Sequence, residues 1–160
     1  QFKSALEQFG AVIKIENTDL KKAYDKLNAE YEDSEKAAAK VSERIDKVES
    51  VADALFEEWE KELSLYKSAD LRRSSKQKLQ STKTRYREML ASMHRAEKSM
   101  TPVLRTFSDN VLFLKHNLNA QAIGSLRSEF STLKGEIDGL IKNMNEAIKN
   151  SNKFIADIKQ

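Results

Sequence analysis

Few residues of this sequence have the type and spacing that catalysis or metal binding requires. The chain has no Cys, which excludes thiolate metal sites, Cys nucleophiles and disulfides. Its two His, His94 and His116, lack a His, Asp or Glu four residues away, and we expect both to face solvent. No Gly-rich phosphate loop or nucleophile elbow is present. We therefore expect neither an enzyme nor a cofactor or metal site.

A basic run without any acidic residue is the strongest charge feature, and its members are Arg72, Arg73, Lys76, Lys78, Lys83, Arg85 and Arg87. Such a run could bind phosphate groups or an anionic membrane. It could also neutralise the preceding part of the chain. Residues 16–66 hold 8 basic and 15 acidic side chains, whereas residues 67–118 hold 12 and 4. We favour neutralisation within the chain, and nucleic-acid binding is not expected.

A second candidate site combines aromatic, apolar and basic residues near the middle of the chain. Its members are Phe56, Trp59, Leu63, Tyr66, Leu71, Arg72 and Arg73. Exposed aromatic and Arg side chains are typical of protein-binding surfaces, so this set could dock a partner. The alternative is that the apolar members only close a helical hairpin on each other. Both interpretations stay open at this stage.

A long heptad repeat between Asp19 and Tyr66 must position these residues. Twelve of its fourteen a and d positions are apolar, and the span contains neither Gly nor Pro. Similar stripes predict helices at about 1–14, 19–66, 70–118 and 120–158, within a single domain over residues 1–160. We expect Asn17 or Thr18, Ser68 and Asn119 to cap the three long helices. The apolar register continues through Pro102, which favours one uninterrupted second long helix.

The short connection near residue 68 requires the first two long helices to be antiparallel neighbours. The expected register places Ala52 opposite Tyr86, Glu60 beside Lys76 and Asp53 beside Lys83. The last helix folds back only to the level of about residue 80, so residues ~57–79 form a two-helix tip. The predicted fold is all-α: an elongated antiparallel three-helix coiled-coil bundle, made four-stranded at one end by a short extra N-terminal helix.

Small residues on the last helix suggest a further helix contact. The candidate packing stripe is Gly124, Ser128, Gly135 and Gly139. Gly inside a helix costs about 0.5–1 kcal/mol relative to Ala, so close approach of another helix would explain its retention. The N-terminal helix has an apolar stripe to bury, and we expect it to pack antiparallel to the last helix, over or beside Gly135 and Gly139.

The segment Val111–Ile123, VLFLKHNLNAQAI, resembles a family of uncharacterised bacterial proteins. The stretches at 56–63 and 71–75 support the resemblance, which extends along nearly the whole chain. It implies a Gram-negative envelope protein of unknown activity, a predicted lipoprotein with a signal and further helix upstream. The implied location is periplasmic, with anchoring at the outer membrane.

The expected function is that of a non-enzymatic structural or adaptor coiled-coil protein of the bacterial envelope, with an unknown protein partner. The alternative is a peripheral membrane-binding helical module that uses the basic face of the second long helix. A homo-oligomer, and membrane contact through an upstream lipid anchor, also stay open.

Overall fold

The computed structural model describes residues 1–13, 20–117 and 120–159. Its helices are α1 (Phe2–Ile13), α2 (Leu20–Leu63), α3 (Ala69–His116) and α4 (Ala120–Ile158). These ranges contain no strand, which confirms the all-α class. Within them, no helix combines the length and the apolar character needed to cross a bilayer.

The hydroxyl groups of two serines form hydrogen bonds at the connection between α2 and α3. Ser64 Oγ donates to the carbonyl of Lys61 at 2.8 Å, and α2 ends at Leu63, three residues before the expected Tyr66. Ser68 Oγ accepts from the Leu71 amide at 3.3 Å, as an N-cap of α3 should. Hydrogen bonds to free backbone groups therefore stop one helix and start the next. The predicted caps Asn17, Thr18 and Asn119 lie outside the described residues.

α3 runs without interruption from Ala69 to His116 and contains Pro102. The prediction of one helix through this proline is therefore confirmed. Pro102 is exposed, so the backbone carbonyl that loses its amide partner to the proline ring need not be buried unpaired. α3 ends where Asn117 Nδ2 donates to the Phe113 carbonyl at 3.0 Å.

The chain packs as two compact units, of which unit 1 comprises residues 1–41 and 96–142. Its centre is an aromatic cluster with Phe9 of α1 fully buried. The Phe9 ring stacks on Phe130 of α4 at 5.7 Å and meets the edge of Phe107 of α3 at 6.4 Å. Tyr31 of α2 contacts Phe107 at 5.6 Å. All four helices thus share one core, in which each large apolar side chain contributes roughly 1.5–3 kcal/mol.

Unit 2 comprises residues 42–95 and 143–160, and its core cluster is Phe56, Leu79, Tyr86 and Met89. Phe56 of α2 meets the Tyr86 ring edge at 5.4 Å, and Ala52, the residue expected opposite Tyr86, also packs against this cluster. Lys83 pairs with Glu60, and its expected neighbour Asp53 lines the same small pocket. The Trp59–Ser75 hydrogen bond deviates from the expected register in the other direction, so the contacts lie within about one turn on either side of it.

α3 and α4 run antiparallel in unit 2. Asn150 Nδ2 donates to the buried Ser92 Oγ, and towards the end of α4 the Phe154 ring lies 6.1 Å from that of Tyr86. Residue numbers therefore rise along α4 in the direction in which they fall along α3. This amide–hydroxyl bond is more specific for one register than apolar contacts are, because a shift of α4 along α3 would break it.

The candidate packing stripe is not covered in the part of the chain that the structure describes. A Cβ atom added at Gly124, Gly135 or Gly139 would have no atom within 4 Å, and Ser128 is exposed. The prediction that α1 packs over Gly135 and Gly139 is therefore wrong for these residues. α1 instead approaches α4 through Gly10, where an added Cβ would lie 3.4 Å from the Phe130 ring. The Phe130 ring stacks on Phe9, and the glycines of the stripe lie on the surface.

We expect the double substitution Gly135→Ala and Gly139→Ala to raise the free energy of unfolding by about 1–2 kcal/mol, because Ala is the better helix former at exposed sites. Gly10→Leu should lower it by about 1–3 kcal/mol, because the added side chain must displace Phe130. Urea denaturation followed by circular dichroism measures both. A double variant less stable than the parent would show that the stripe does pack against another helix.

Candidate functional site

An apolar groove in unit 2 has a volume of about 830 Å³. We call it the α2–α3 groove. The wall from α2 consists of residues at helical spacing, which therefore share one face: Val48, Val51, Ala52, Leu55, Phe56 and Trp59. Val51 is 69% exposed and Leu55 is 56% exposed, although the heptad repeat assigns Leu55 to a buried seam. Two aliphatic side chains therefore face solvent beside an apolar floor.

The wall from α3 is more polar than the wall from α2. It contains Lys78, Ser81, Thr82, Arg85, Tyr86 and Met89. The spacing again selects one helix face, and this face opposes the apolar face of α2. The groove is therefore apolar along one side and lined with hydroxyl and cationic groups along the other.

The last turn of α4 fills one end of the groove. Phe154 lies against Tyr86, and Asp157 Oδ2 lies 3.9 Å from Arg85 Nε. α4 ends at Ile158, whereas α3 continues from Arg85 back to Ala69, a stretch of about 24 Å. Among the described residues, no part of α4 lies along this stretch.

Charges at the groove are mostly positive. Lys47 lies 3.4 Å from Glu43 on the exposed face of α2, and Arg85 contacts Asp157. Lys78 is exposed and makes no ion pair with the residues that the structure describes. Asp157 is the single carboxylate among the described lining residues. The groove therefore favours a ligand with acidic groups on the α3 side.

The structure divides the candidate partner-binding tip into two groups. Phe56 is buried and Trp59 half-buried; both line the groove, and Trp59 Nε1 donates to Ser75 Oγ at 2.9 Å. Tyr66 and Leu71 are exposed outside it, and Leu63 is half-buried against the core cluster. Partner binding at the tip stays a prediction, but its apolar surface extends along the groove.

The two arginines of the tip each contact a nearby acceptor. Arg72 Nη2 donates to the Tyr66 carbonyl at 2.6 Å, within the connection between α2 and α3. Arg73 lies 3.4 Å from Asp70 on its own helix. Val48, Val51 and Leu55 were not predicted as site residues, because the heptad pattern does not reveal which residues of a seam a neighbouring helix covers.

The basic run meets carboxylates from several elements. Lys83 pairs with Glu60 of α2, while Arg85 pairs with Asp157 of α4. The expectation that α2 alone would neutralise the run is thus too simple, because α4 also contributes. Lys83 additionally lies 5.7 Å from the centre of the Phe56 ring, which favours the cation.

A small polar pocket of about 240 Å³ lies beside Tyr86, between Asp53, Glu60, Lys83 and Arg87. The Tyr86 hydroxyl is buried and has no hydrogen-bond partner among the described residues. Burial raises the pKa of Tyr86, and the nearby carboxylates of Asp53 and Glu49 raise it further. The phenol therefore stays neutral at physiological pH and offers no base.

The described residues contain no group of three or more His, Asp and Glu that could hold a metal ion. His94, expected to face solvent, is half-buried, and its Nε2 lies 3.3 Å from Glu49 Oε1. His116 is exposed in the last turn of α3, where a cation suits the helix dipole.

We expect Tyr86→Phe to leave the free energy of unfolding unchanged or raise it by about 1 kcal/mol at pH 7, because it removes an unpaired buried hydroxyl and keeps the ring. Folding holds this phenol neutral, so the parent should lose stability as the pH rises above ~10, and the variant should lose less. Denaturation of both proteins at pH 7 and pH 10.5 tests this. A variant less stable than the parent at pH 7 would reveal a hydrogen bond to the hydroxyl.

Comparison with known proteins identifies a family for the chain but no characterised relative. No curated protein matches it, and no solved structure does. A family model described as "Protein of unknown function (DUF2959)" matches residues 1–158. Because the match extends over nearly the whole chain, this protein belongs to the DUF2959 family.

Proposed function

We propose that this chain is a non-enzymatic structural or adaptor protein that binds another protein through helix-to-helix contact. The observation that carries the proposal is the open α2–α3 groove, where Val51 and Leu55 are more exposed than covered. Soluble proteins rarely leave a contiguous apolar groove of this kind unless it binds something. Burial of such side chains on binding contributes roughly 25 cal/mol per Å².

The proposed architecture is an antiparallel coiled-coil bundle of α2, α3 and α4, with α1 as a fourth strand at one end. The heptad repeat of α2 and the ring contacts of Phe9 support it. In such a bundle each helix needs two neighbours to bury its stripe. Where one neighbour ends, the other two present an incomplete seam that a helix from another protein can complete.

The proposed location is the bacterial envelope, in the periplasm and anchored at the outer membrane. Its support is the resemblance carried by the segment at 111–123 and by the stretches at 56–63 and 71–75. An adaptor of the envelope would present its groove to a periplasmic partner. Separation of envelope fractions from the source cells, followed by immunodetection, tests the location independently of binding.

Membrane binding through the basic run is the rival function. Lys83 and Arg85 already contact carboxylates from α2 and α4. A lipid headgroup must therefore displace these carboxylates or bind the remaining cations. Either requirement weakens the attraction between the basic run and an anionic membrane at physiological salt. The groove lies beside these cations and favours protein binding because its apolar wall follows helical spacing.

Site-specific photo-crosslinking in the source cells tests the adaptor function. A benzophenone amino acid replaces Leu55 in the groove, and the matched control replaces Gly135, an exposed residue that nothing covers. We expect a discrete protein adduct from position 55 and none from position 135. Co-sedimentation of purified protein with anionic vesicles at ~0.15 M salt, without any protein adduct, would favour the membrane function instead.

A further inference from the structure

We infer that the connection between α2 and α3 inserts into the interface of an anionic membrane, with Leu65 and Tyr66 as the inserting side chains. Leu65 is 75% exposed, the highest value among the large apolar side chains that the structure describes. Tyr66 beside it is exposed, and so is Leu71 in the first turn of α3. These residues lie outside the α2–α3 groove, so membrane contact here would add to the proposed adaptor function.

The exposed side chains lie at the end of a helical hairpin. α2 ends at Leu63 and α3 begins at Ala69, so residues 64–68 form a short connection between two antiparallel helices. A projecting apolar residue offers no groove to a helix or an elongated ligand. Lipid headgroups, in contrast, separate around a projecting side chain, which then reaches the boundary with the acyl chains.

Hydrogen bonds within the connection lower the cost of taking its backbone out of water. The Leu65 amide donates to the Glu62 carbonyl at 3.0 Å, and the Tyr66 carbonyl accepts from Arg72 Nη2 at 2.6 Å. A backbone polar group that leaves water without a partner is costly in a lipid environment. Each of the two inserting residues therefore has a backbone group that is already paired within the protein. The second bond also places a cation at the level of Tyr66.

Most charged side chains around the connection are positive. Residues 61–78 hold 6 basic and 2 acidic side chains. Asp70, one of the two acidic residues, lies 3.4 Å from Arg73. Lys67 and Lys76 form no ion pair with the residues that the structure describes. Cations close to an anionic lipid surface each strengthen binding to it, so the charge of this end of the hairpin complements such a surface.

Apolar and cationic groups act together here, which distinguishes the connection from the basic run as a whole. Lys83 and Arg85 of that run lie beside carboxylates, whereas Lys67 and Lys76 do not. A tyrosine is favourable at a membrane–water boundary, where its ring meets apolar groups and its hydroxyl meets water. A bilayer thus offers phosphate groups to the lysines and an apolar layer to Leu65 at the same time.

The test follows insertion with a dye. Because the chain has no Cys, Leu65→Cys gives a single site for the environment-sensitive dye NBD. The matched control is Ile148→Cys, an exposed aliphatic position near Asn150, whose contact with Ser92 lies roughly 35 Å along α3 from Ala69. With vesicles of phosphatidylethanolamine and phosphatidylglycerol, we expect brighter, blue-shifted NBD emission at position 65 and no change at position 148. Vesicles of phosphatidylcholine alone should give a much smaller change.

Co-sedimentation of unlabelled variants measures the apolar contribution. Leu65→Ser with Tyr66→Ser should weaken binding to the anionic vesicles at least tenfold, because it removes the inserting side chains without changing the charge. Ile148→Ser with Ile155→Ser is the matched control, which truncates two exposed aliphatic residues of α4 and should have no effect. Circular dichroism verifies that all variants stay helical.

A second pair of variants measures the contribution of charge. Lys67→Gln with Lys76→Gln should weaken binding at least fivefold at ~0.15 M salt, where charges act over about 8 Å. Lys149→Gln with Lys153→Gln removes the same charge from exposed positions on α4, far from the connection, and should change binding less than twofold.

Four results would overturn the inference: no binding to the anionic vesicles, equally strong binding to phosphatidylcholine alone, full binding by the variant with both serines at 65 and 66, or vesicle binding without a change in NBD emission at position 65. The last result would assign binding to the basic run. A discrete protein adduct from a benzophenone amino acid at position 65 in the source cells, without vesicle binding, would identify a protein as the occupant. Vesicle binding together with an adduct from position 55 would support membrane insertion and the adaptor function alike.

Discussion

The contact between Asp157 and Arg85 marks the level at which α4 stops supporting the helical hairpin of unit 2. Up to that level, α2, α3 and α4 bury their apolar stripes against one another around Tyr86 and Phe154. Beyond Ile158 the described part of the hairpin continues with two helices. Val51 and Leu55 precede Phe56, which contacts Tyr86 at the level of Phe154, so their exposed side chains lie beside the last turns of α4 and not beyond them.

Polar contacts between helices accompany the apolar packing of unit 2. The buried Ser92 hydroxyl accepts a hydrogen bond from Asn150, and the Trp59 indole donates to Ser75. A shift of α4 along α3 would break the first of these bonds. The apolar area of the α2–α3 groove that stays exposed is available for binding a partner.

The sequence predicts much of this fold because the signals involved are local. The heptad repeat indicates long helices, Ser68 caps α3 as its position suggests, and the unbroken register through Pro102 yields one helix. Register is not local. Every heptad offers an equivalent apolar contact, so the pattern cannot decide between Ala52 and Phe56 as the neighbour of Tyr86.

Surfaces were harder to predict than helices for a related reason. A small residue in a helix is compatible both with close packing and with solvent exposure. Gly10 packs against Phe130, whereas Gly135 is exposed. Leu55 occupies a seam position in the heptad repeat, yet it is 56% exposed. Membership of the DUF2959 family does not resolve these choices, since they depend on contacts between distant segments.

Hydrogen–deuterium exchange of the free protein, resolved by residue, tests most directly that α4 leaves part of the hairpin uncovered. Amides of α2 and α3 between Phe56 and Leu79 should exchange markedly faster than those between Arg85 and Arg95, because local opening is easier where two helices pack without a third. We expect the change at the level of Ile158. Uniformly slow exchange as far as Leu63 and Ala69 would contradict the open groove, since it would require another surface to cover the tip.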